Sequence, residues 1–228
     1  MKLNRNQLKY LAALAMLVDH VAWAFVLTGS LLGQLMHFVG RMTGPVMAFF
    51  LAEGYLHTRS LKRYALRLGV FALLSWPACS LFEFGYWPSL FFGAIFTLFL
   101  GLLAIWIWDK SGWHTWIKIL VVSILCLLSL YGDWPLFDVL WPLCFFLFHE
   151  DKKRKWGSYY MIGLWSGIVP LLVSGTRQLF QIGVLFVPFL LEYCYNGEGG
   201  GKKPFHKWFF FAFYPLHLLI LWYLKKAI

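Results

Sequence analysis

Long apolar runs separated by short polar connections make up almost the whole chain. Nine runs have bilayer length, at approximately 8–28, 34–56, 66–82, 90–108, 115–131, 134–149, 158–175, 178–195 and 207–224. A hydrocarbon core takes about 20 apolar residues per helix, with about 17–25 tolerated. The pattern predicts an all-α polytopic integral membrane protein of about nine transmembrane helices, forming one membrane domain over residues 1–228. The fifth and sixth runs are short. Only Gly132 and Asp133 join them, and Trp134-Pro135 opens the sixth. Aromatic rings gather at run ends, as at Tyr86, Trp87, Trp106, Trp108, Trp113 and Trp116, where headgroup level suits them. The Gly- and Lys-rich stretch Asn196–Lys203 reads as a flexible cytoplasmic loop. No internal repeat stands out.

Composition agrees with the pattern. Apolar residues are 61% of the chain and charged residues 13%, against about 25% charged in soluble domains. That excludes a water-soluble globular protein. The first run carries Asp19-His20 and is longer than the core of a cleavable signal peptide, so it reads as a retained first helix. Cys79, Cys126, Cys144 and Cys194 lie scattered in apolar runs with no CxxC pair. They are read as packing residues, and no metal site is expected.

The net charge of +10 would suggest nucleic acid for a soluble protein. Here the cations occupy connections, where they orient the chain in the bilayer, and no nucleic-acid partner is expected. With connections numbered alternately from the N-terminus, one side collects Lys2, Arg5 and Lys9, then Arg59, Lys62, Arg63 and Arg67. Lys110 and Lys118 follow, then Lys152, Lys153, Arg154 and Lys155, and last Lys202, Lys203 and Lys207. These are 16 of the 20 Lys and Arg residues. Arg177, Lys225 and Lys226 fall on the other side, and Arg41 lies within a run. The positive-inside rule places the N-terminus in the cytoplasm and the C-terminus outside.

Charged groups in lipid are costly and call for a reason. Asp19-His20 lies in the first run and Arg41 in the second. At about 1.5 Å rise per residue, His20 is about 18 Å above the cytoplasmic edge and Arg41 about 10 Å below the outer edge of a core about 30 Å thick. Antiparallel neighbours at that depth bring Asp19, His20 and Arg41 within reach of one another. An Asp19–Arg41 ion pair that only locks two helices is the plainer reading of those two residues. Such a pair has no need of His20, and a histidine can move a proton near neutral pH.

A second constellation lies toward the cytoplasm: Glu53-Gly54, then His57, Arg59, Lys62, Arg63, Tyr64 and Arg67. Four cations in nine residues beside a carboxylate suit a phosphate-bearing ligand. Ordinary positive-inside charge and anionic lipid explain them equally for Lys62 and Arg63. Asp138 sits mid-run and Glu192 near the end of its run. His217 follows Tyr214-Pro215, where the proline is expected to kink the last helix. Ser166-Gly167 and Ser174-Gly175 have Leu164 and Leu172 where an intramembrane serine protease has Gly, which excludes that class.

The ordered segments LKYLAALAMLVDHVAWAF, VGRMTGPVMAFFLAEGYLHTRSLKRYALRLGVFALLS, IFTLFLGLL and WFFFAFYPLHLLIL resemble the TraX family, whose named member is the F-pilin acetylase. The resemblance rests on Asp19-His20, Gly40-Arg41 with Pro45, Glu53-Gly54, Tyr64 with Arg67-Leu68, and Tyr214 to Leu218. Residues 109–200 contribute little to it. TraX proteins are similar in turn to membrane acyltransferases that acetylate sugars, in which a basic residue stands eleven positions before a functional histidine. Lys9 and His20 have that spacing, with Lys where Arg is usual.

The resemblance implies acyl transfer from cytoplasmic acetyl-CoA to an amine or hydroxyl, on a pilin peptide or a glycan, at the inner (cytoplasmic) membrane. It implies His20 as general base, with Asp19 or another acid fixing its tautomer and Arg41 stabilising the oxyanion or orienting the acceptor. Lys9, Glu53, Arg59 and Arg67 are the expected donor-binding residues, with His57, Tyr64 and His217 as further candidates. Two other readings stand beside it. One is a proton-coupled transporter or flippase, although no matching halves are visible. The other is a non-catalytic assembly factor whose buried charges fix packing.

Overall fold

The computed structural model describes residues 2–201 and 203–227. Lys202, counted above among the cytoplasmic cations, lies outside the described residues, as do the side chains of Ser174, Arg177 and Lys207.

Among the described residues ten α-helices follow one another: α1 (Arg5–Phe25), α2 (Leu31–Gly40), α3 (Thr43–His57), α4 (Leu61–Phe84), α5 (Ala94–Lys110), α6 (Thr115–Leu128), α7 (Phe137–Leu147), α8 (Lys152–Ser174), α9 (Val187–Cys194) and α10 (Pro204–Ala227). A 3₁₀ turn, Ser129–Tyr131, follows α6, and a 3₁₀ segment, Gly175–Phe186, precedes α9. No strand occurs among the described residues; Leu3 and Tyr195 form one isolated bridge. Each predicted run overlaps helix, although 90–108 and 134–149 begin outside it and half of 178–195 is 3₁₀. Five helical stretches are long and apolar enough to cross a membrane: Arg5–Phe25, Leu31–His57, Leu61–Phe84, Lys152–Val173 and Trp208–Ala227. The chain is a multi-pass helical membrane protein.

The sequence explains the helix starts. Asn4 and Gln7 form a capping box at α1, with bonds of 3.0 and 2.9 Å. Ser30 Oγ caps α2 by accepting from Gly33 N at 3.0 Å.

The second run, expected to be one continuous helix, breaks at Arg41-Met42. Pro45 is the cause. It has no N–H, and its ring crowds the carbonyl four residues back, which is Arg41. As the third residue of α3, Pro45 sits in a first turn, where a proline is tolerated.

Residues Met1–Met47 and Gly163–Ile228 form one compact unit. In it α1 packs against α2 and α10, and α2 packs against the 3₁₀ segment. The stretch from Asn196, expected to be flexible, is held at its described residues by the N-terminus. Asn196 N donates to Leu3 O (3.0 Å), Arg5 N to Glu198 O (2.8 Å) and Asn6 Nδ2 to Gly201 O (2.8 Å). Gly197 (φ 80°) and Gly200 (φ 73°) take the left-handed turns this docking needs. Composition alone suggested freedom, and backbone hydrogen bonds remove it.

Residues Ala48–Ile162 form the second unit, centred on α5 among α4, α6 and α7. Asp138 on α7 is 1% exposed, and Thr97 on α5 donates to its Oδ2 at 2.9 Å. Trp141 and Phe145 both stack on Tyr159, with ring centroids 5.6 Å apart in each pair.

Candidate functional site

Asp19 and His20 are adjacent in sequence, yet successive residues of an α-helix point about 100° apart. On α1 this turns Asp19 toward α2 and His20 toward α10, the two helices that α1 packs against. The expected Asp19–Arg41 pair forms: Arg41 Nη2 donates to Asp19 Oδ2 at 2.8 Å. The second carboxylate oxygen accepts from His37 Nδ1 at 2.7 Å. His37 and Arg41 are four residues apart on α2, so they share a face and grip one carboxylate together. The expectation that Asp19 fixes the His20 tautomer is corrected here. Both Asp19 oxygens are engaged by α2, and His20 Nδ1 contacts the Nε2 of His217 on α10 at 2.9 Å.

Gly40 makes the first arrangement sterically feasible. A Cβ at position 40 would overlap Asp19 Cβ and Cγ and lie 2.7 Å from its Oδ1. The backbone of α2 therefore approaches α1 where the carboxyl crosses. His37 is fully buried between Trp23 and Phe180, with ring centroids 4.2 and 5.0 Å away. The Arg41 guanidinium lies 5.6 Å from the centre of the Phe180 ring, a cation–π distance. Phe180 belongs to the 3₁₀ segment, which is fastened to α2 by Phe180 N donating to Gln34 Oε1 at 3.1 Å. His37 was not singled out from the sequence, although its spacing of four from Arg41 was visible there.

His217 is 5% exposed. Its Nδ1 donates to the Phe213 carbonyl at 2.7 Å, and the Phe213 ring stacks on it at 4.8 Å. His20 is only half-buried, so it is the member of the pair with surface left to meet a reactant. Closer to the start of α1, the Lys9 ammonium sits 5.3 Å from the Phe210 ring centre, and Tyr10 Oη and His206 Nδ1 are 2.7 Å apart. Lys9 lies about 16 Å along α1 from His20 at helical rise, so the two do not touch.

The second unit holds the other candidates. Gly54, Tyr64 and Arg67 meet around the tyrosine ring. The Arg67 guanidinium is 5.4 Å from the Tyr64 ring centre, and a Cβ on Gly54 would lie 3.1 Å from Tyr64 Oη. His57 Nδ1 donates to the Glu53 carbonyl at 2.8 Å. Glu53 and Arg67 are half-buried, whereas His57, Arg59, Lys62 and Arg63 are exposed around the turn from α3 to α4. Among the described residues, no group of three or more His, Cys, Asp or Glu side chains converges as a metal site.

Two sequence comparisons place the chain among known proteins. The family described as TraX protein matches residues 4–225. A relative from Dichelobacter nodosus, named "Probable fimbrial assembly protein FimC, serogroup H1", is 32% identical over 234 aligned residues, covering 94% of this chain and 93% of that protein. No solved structure matches the chain significantly. Matched over nearly its whole length, the chain belongs to the TraX family.

Proposed function

We propose that this TraX-family protein is a membrane-embedded acyltransferase that moves an acetyl group from cytoplasmic acetyl-CoA to an amine or hydroxyl acceptor. The name of the D. nodosus relative speaks of fimbrial assembly, so the acceptor class we favour is a pilus subunit or a glycan. The supporting observation is the half-buried His20 held at 2.9 Å by the buried His217.

The chemistry follows from those groups. The acceptor nitrogen or oxygen attacks the thioester carbonyl carbon, and His20 takes the proton it loses. Arg41, anchored by Asp19, is a fixed cation suited to the developing oxyanion. The C–S bond then breaks, and His20 returns the proton to the departing thiolate to give free coenzyme A. In this reading Arg59 and Arg67 take phosphates of the donor. The N-terminus faces the cytoplasm, as the 16 cations sharing one side of the nine-helix reading suggest.

A different role has its own supporting observation. A carboxylate whose two oxygens are engaged by His37 and Arg41 suits a packing lock, and a non-catalytic assembly factor needs no more. Purified protein given labelled acetyl-CoA with amine and hydroxyl acceptors separates the readings. The enzyme forms acetylated acceptor or free coenzyme A, whereas the assembly factor leaves the label on the donor. Solute exchange across proteoliposomes would instead indicate a transporter. Arg67→Ala is expected to weaken acetyl-CoA binding about tenfold, about 1.4 kcal/mol, with the melting temperature unchanged. Coenzyme A affinity that is the same in Arg67→Ala and Arg59→Ala would move the donor site elsewhere.

A further inference from the structure

The hydrogen bonds around His217 decide which nitrogen of His20 can act as base. This step rests on the acyl-transfer reading and adds the atom and the residue that selects it. A carbonyl oxygen only accepts, so the 2.7 Å contact from His217 Nδ1 to Phe213 O requires a proton on that nitrogen. In a neutral ring the other nitrogen, His217 Nε2, then carries a lone pair. The nitrogen 2.9 Å away is His20 Nδ1, and only a proton on it turns the contact into a hydrogen bond. With its proton at Nδ1, a neutral His20 presents its lone pair at Nε2.

We propose that His217 is a positioning residue: it holds His20 in the Nδ1–H form, so that Nε2 of His20 receives the acceptor's proton during acyl transfer. The role resembles that of the carboxylate behind the histidine in a hydrolase triad, with a neutral imidazole in its place. When Nε2 of His20 takes the proton, the Nδ1–H bond to His217 becomes charge-assisted and steadies the imidazolium. The same proton leaves from Nε2 to the thiolate, and His217 neither gains nor loses one. The Phe213 carbonyl and the stacked Phe213 ring keep the His217 ring in plane for this.

Nitrogen NMR on ¹⁵N-histidine-labelled full-length protein, with signals assigned by single His→Gln variants, reads the tautomers directly. The expected result is the Nδ1–H form for both His20 and His217. An Nε2–H form of His20 in the parent protein would overturn the proposal, whatever the enzyme does. Activity gives the second arm. His217→Leu offers no acceptor and is expected to lower kcat about ten- to a hundredfold at unchanged KM for acetyl-CoA, taking as a guide the loss when the outer partner of a metal-bound histidine is removed. His217→Gln restores an acceptor oxygen and is expected to recover most of that loss. If Leu and Gln lose the same activity and the same melting temperature, His217 is merely structural and the proposal falls. If the base assignment itself is wrong, His20→Ala stays active while the parent still shows the Nδ1–H tautomer, so the two failures are distinguishable.

Discussion

Glutamine at position 20 is expected to give a folded protein that transfers acetyl groups about 10²–10⁴-fold more slowly than the parent. Glutamine is close to histidine in size, and its amide N–H can still meet His217 Nε2 across the α1–α10 contact now spanned at 2.9 Å. It cannot take a proton from the acceptor. His20→Ala should be as inactive, and acetyl-CoA should bind both variants as it binds the parent. A purely structural histidine gives the opposite order, with Gln tolerated and Ala lowering yield and melting temperature. Transfer rate and detergent-solubilised melting, measured on both variants, decide the matter. A stable and active His20→Gln protein would end the general-base assignment, whereas a parent protein that transfers no label would leave the assembly-factor reading in its place.

Alanine at position 40 is expected to destabilise the first unit strongly. The new carbon would overlap Asp19 Cβ and Cγ, the root of a side chain pinned by His37 and Arg41. A flexible side-chain end could swing aside, but this one cannot without giving up both bonds. Either α1 and α2 separate, an overpacking cost of about 1–3 kcal/mol, or the buried ion pair opens, at about 3–5 kcal/mol. The measurements are folded yield and melting in detergent, with Gly29→Ala as reference, since a Cβ there meets nothing within 4 Å. Equal melting for the two variants would show that α2 does not press against Asp19.

The helical class and the position of nearly every element were legible because apolar run length is a direct signal. The Asp19–Arg41 pair was legible too, because helix rise converts residue count into depth. Angle was the quantity left out. Asp19 and His20 were treated as one cluster because they are neighbours in sequence, and the helix turns them toward different partners. His217 was visible as a residue after a proline and, through the resemblance, as a further candidate, but not as the partner of His20. Nothing local signals a partner 197 positions away. The break at Arg41 was readable from Pro45, but the apolar run masks it. The loop after Tyr195 misled for the opposite reason, since its glycines permit the turns that let it dock on Leu3, Arg5 and Asn6.

The unit that holds the histidine pair is discontinuous in sequence, Met1–Met47 with Gly163–Ile228, whereas the other unit is one unbroken stretch. During synthesis the unbroken stretch can be completed while the ribosome is still working. The helix bearing His20 enters the membrane first and meets its partner helix last. A nascent or truncated chain lacking α10 therefore has His20 without His217, and the apolar face of α1 that α10 covers stays open to lipid or to chaperones. On the acyl-transfer proposal a prematurely terminated copy is expected to be chemically silent, since the His20–His217 contact forms only once α10 is in place.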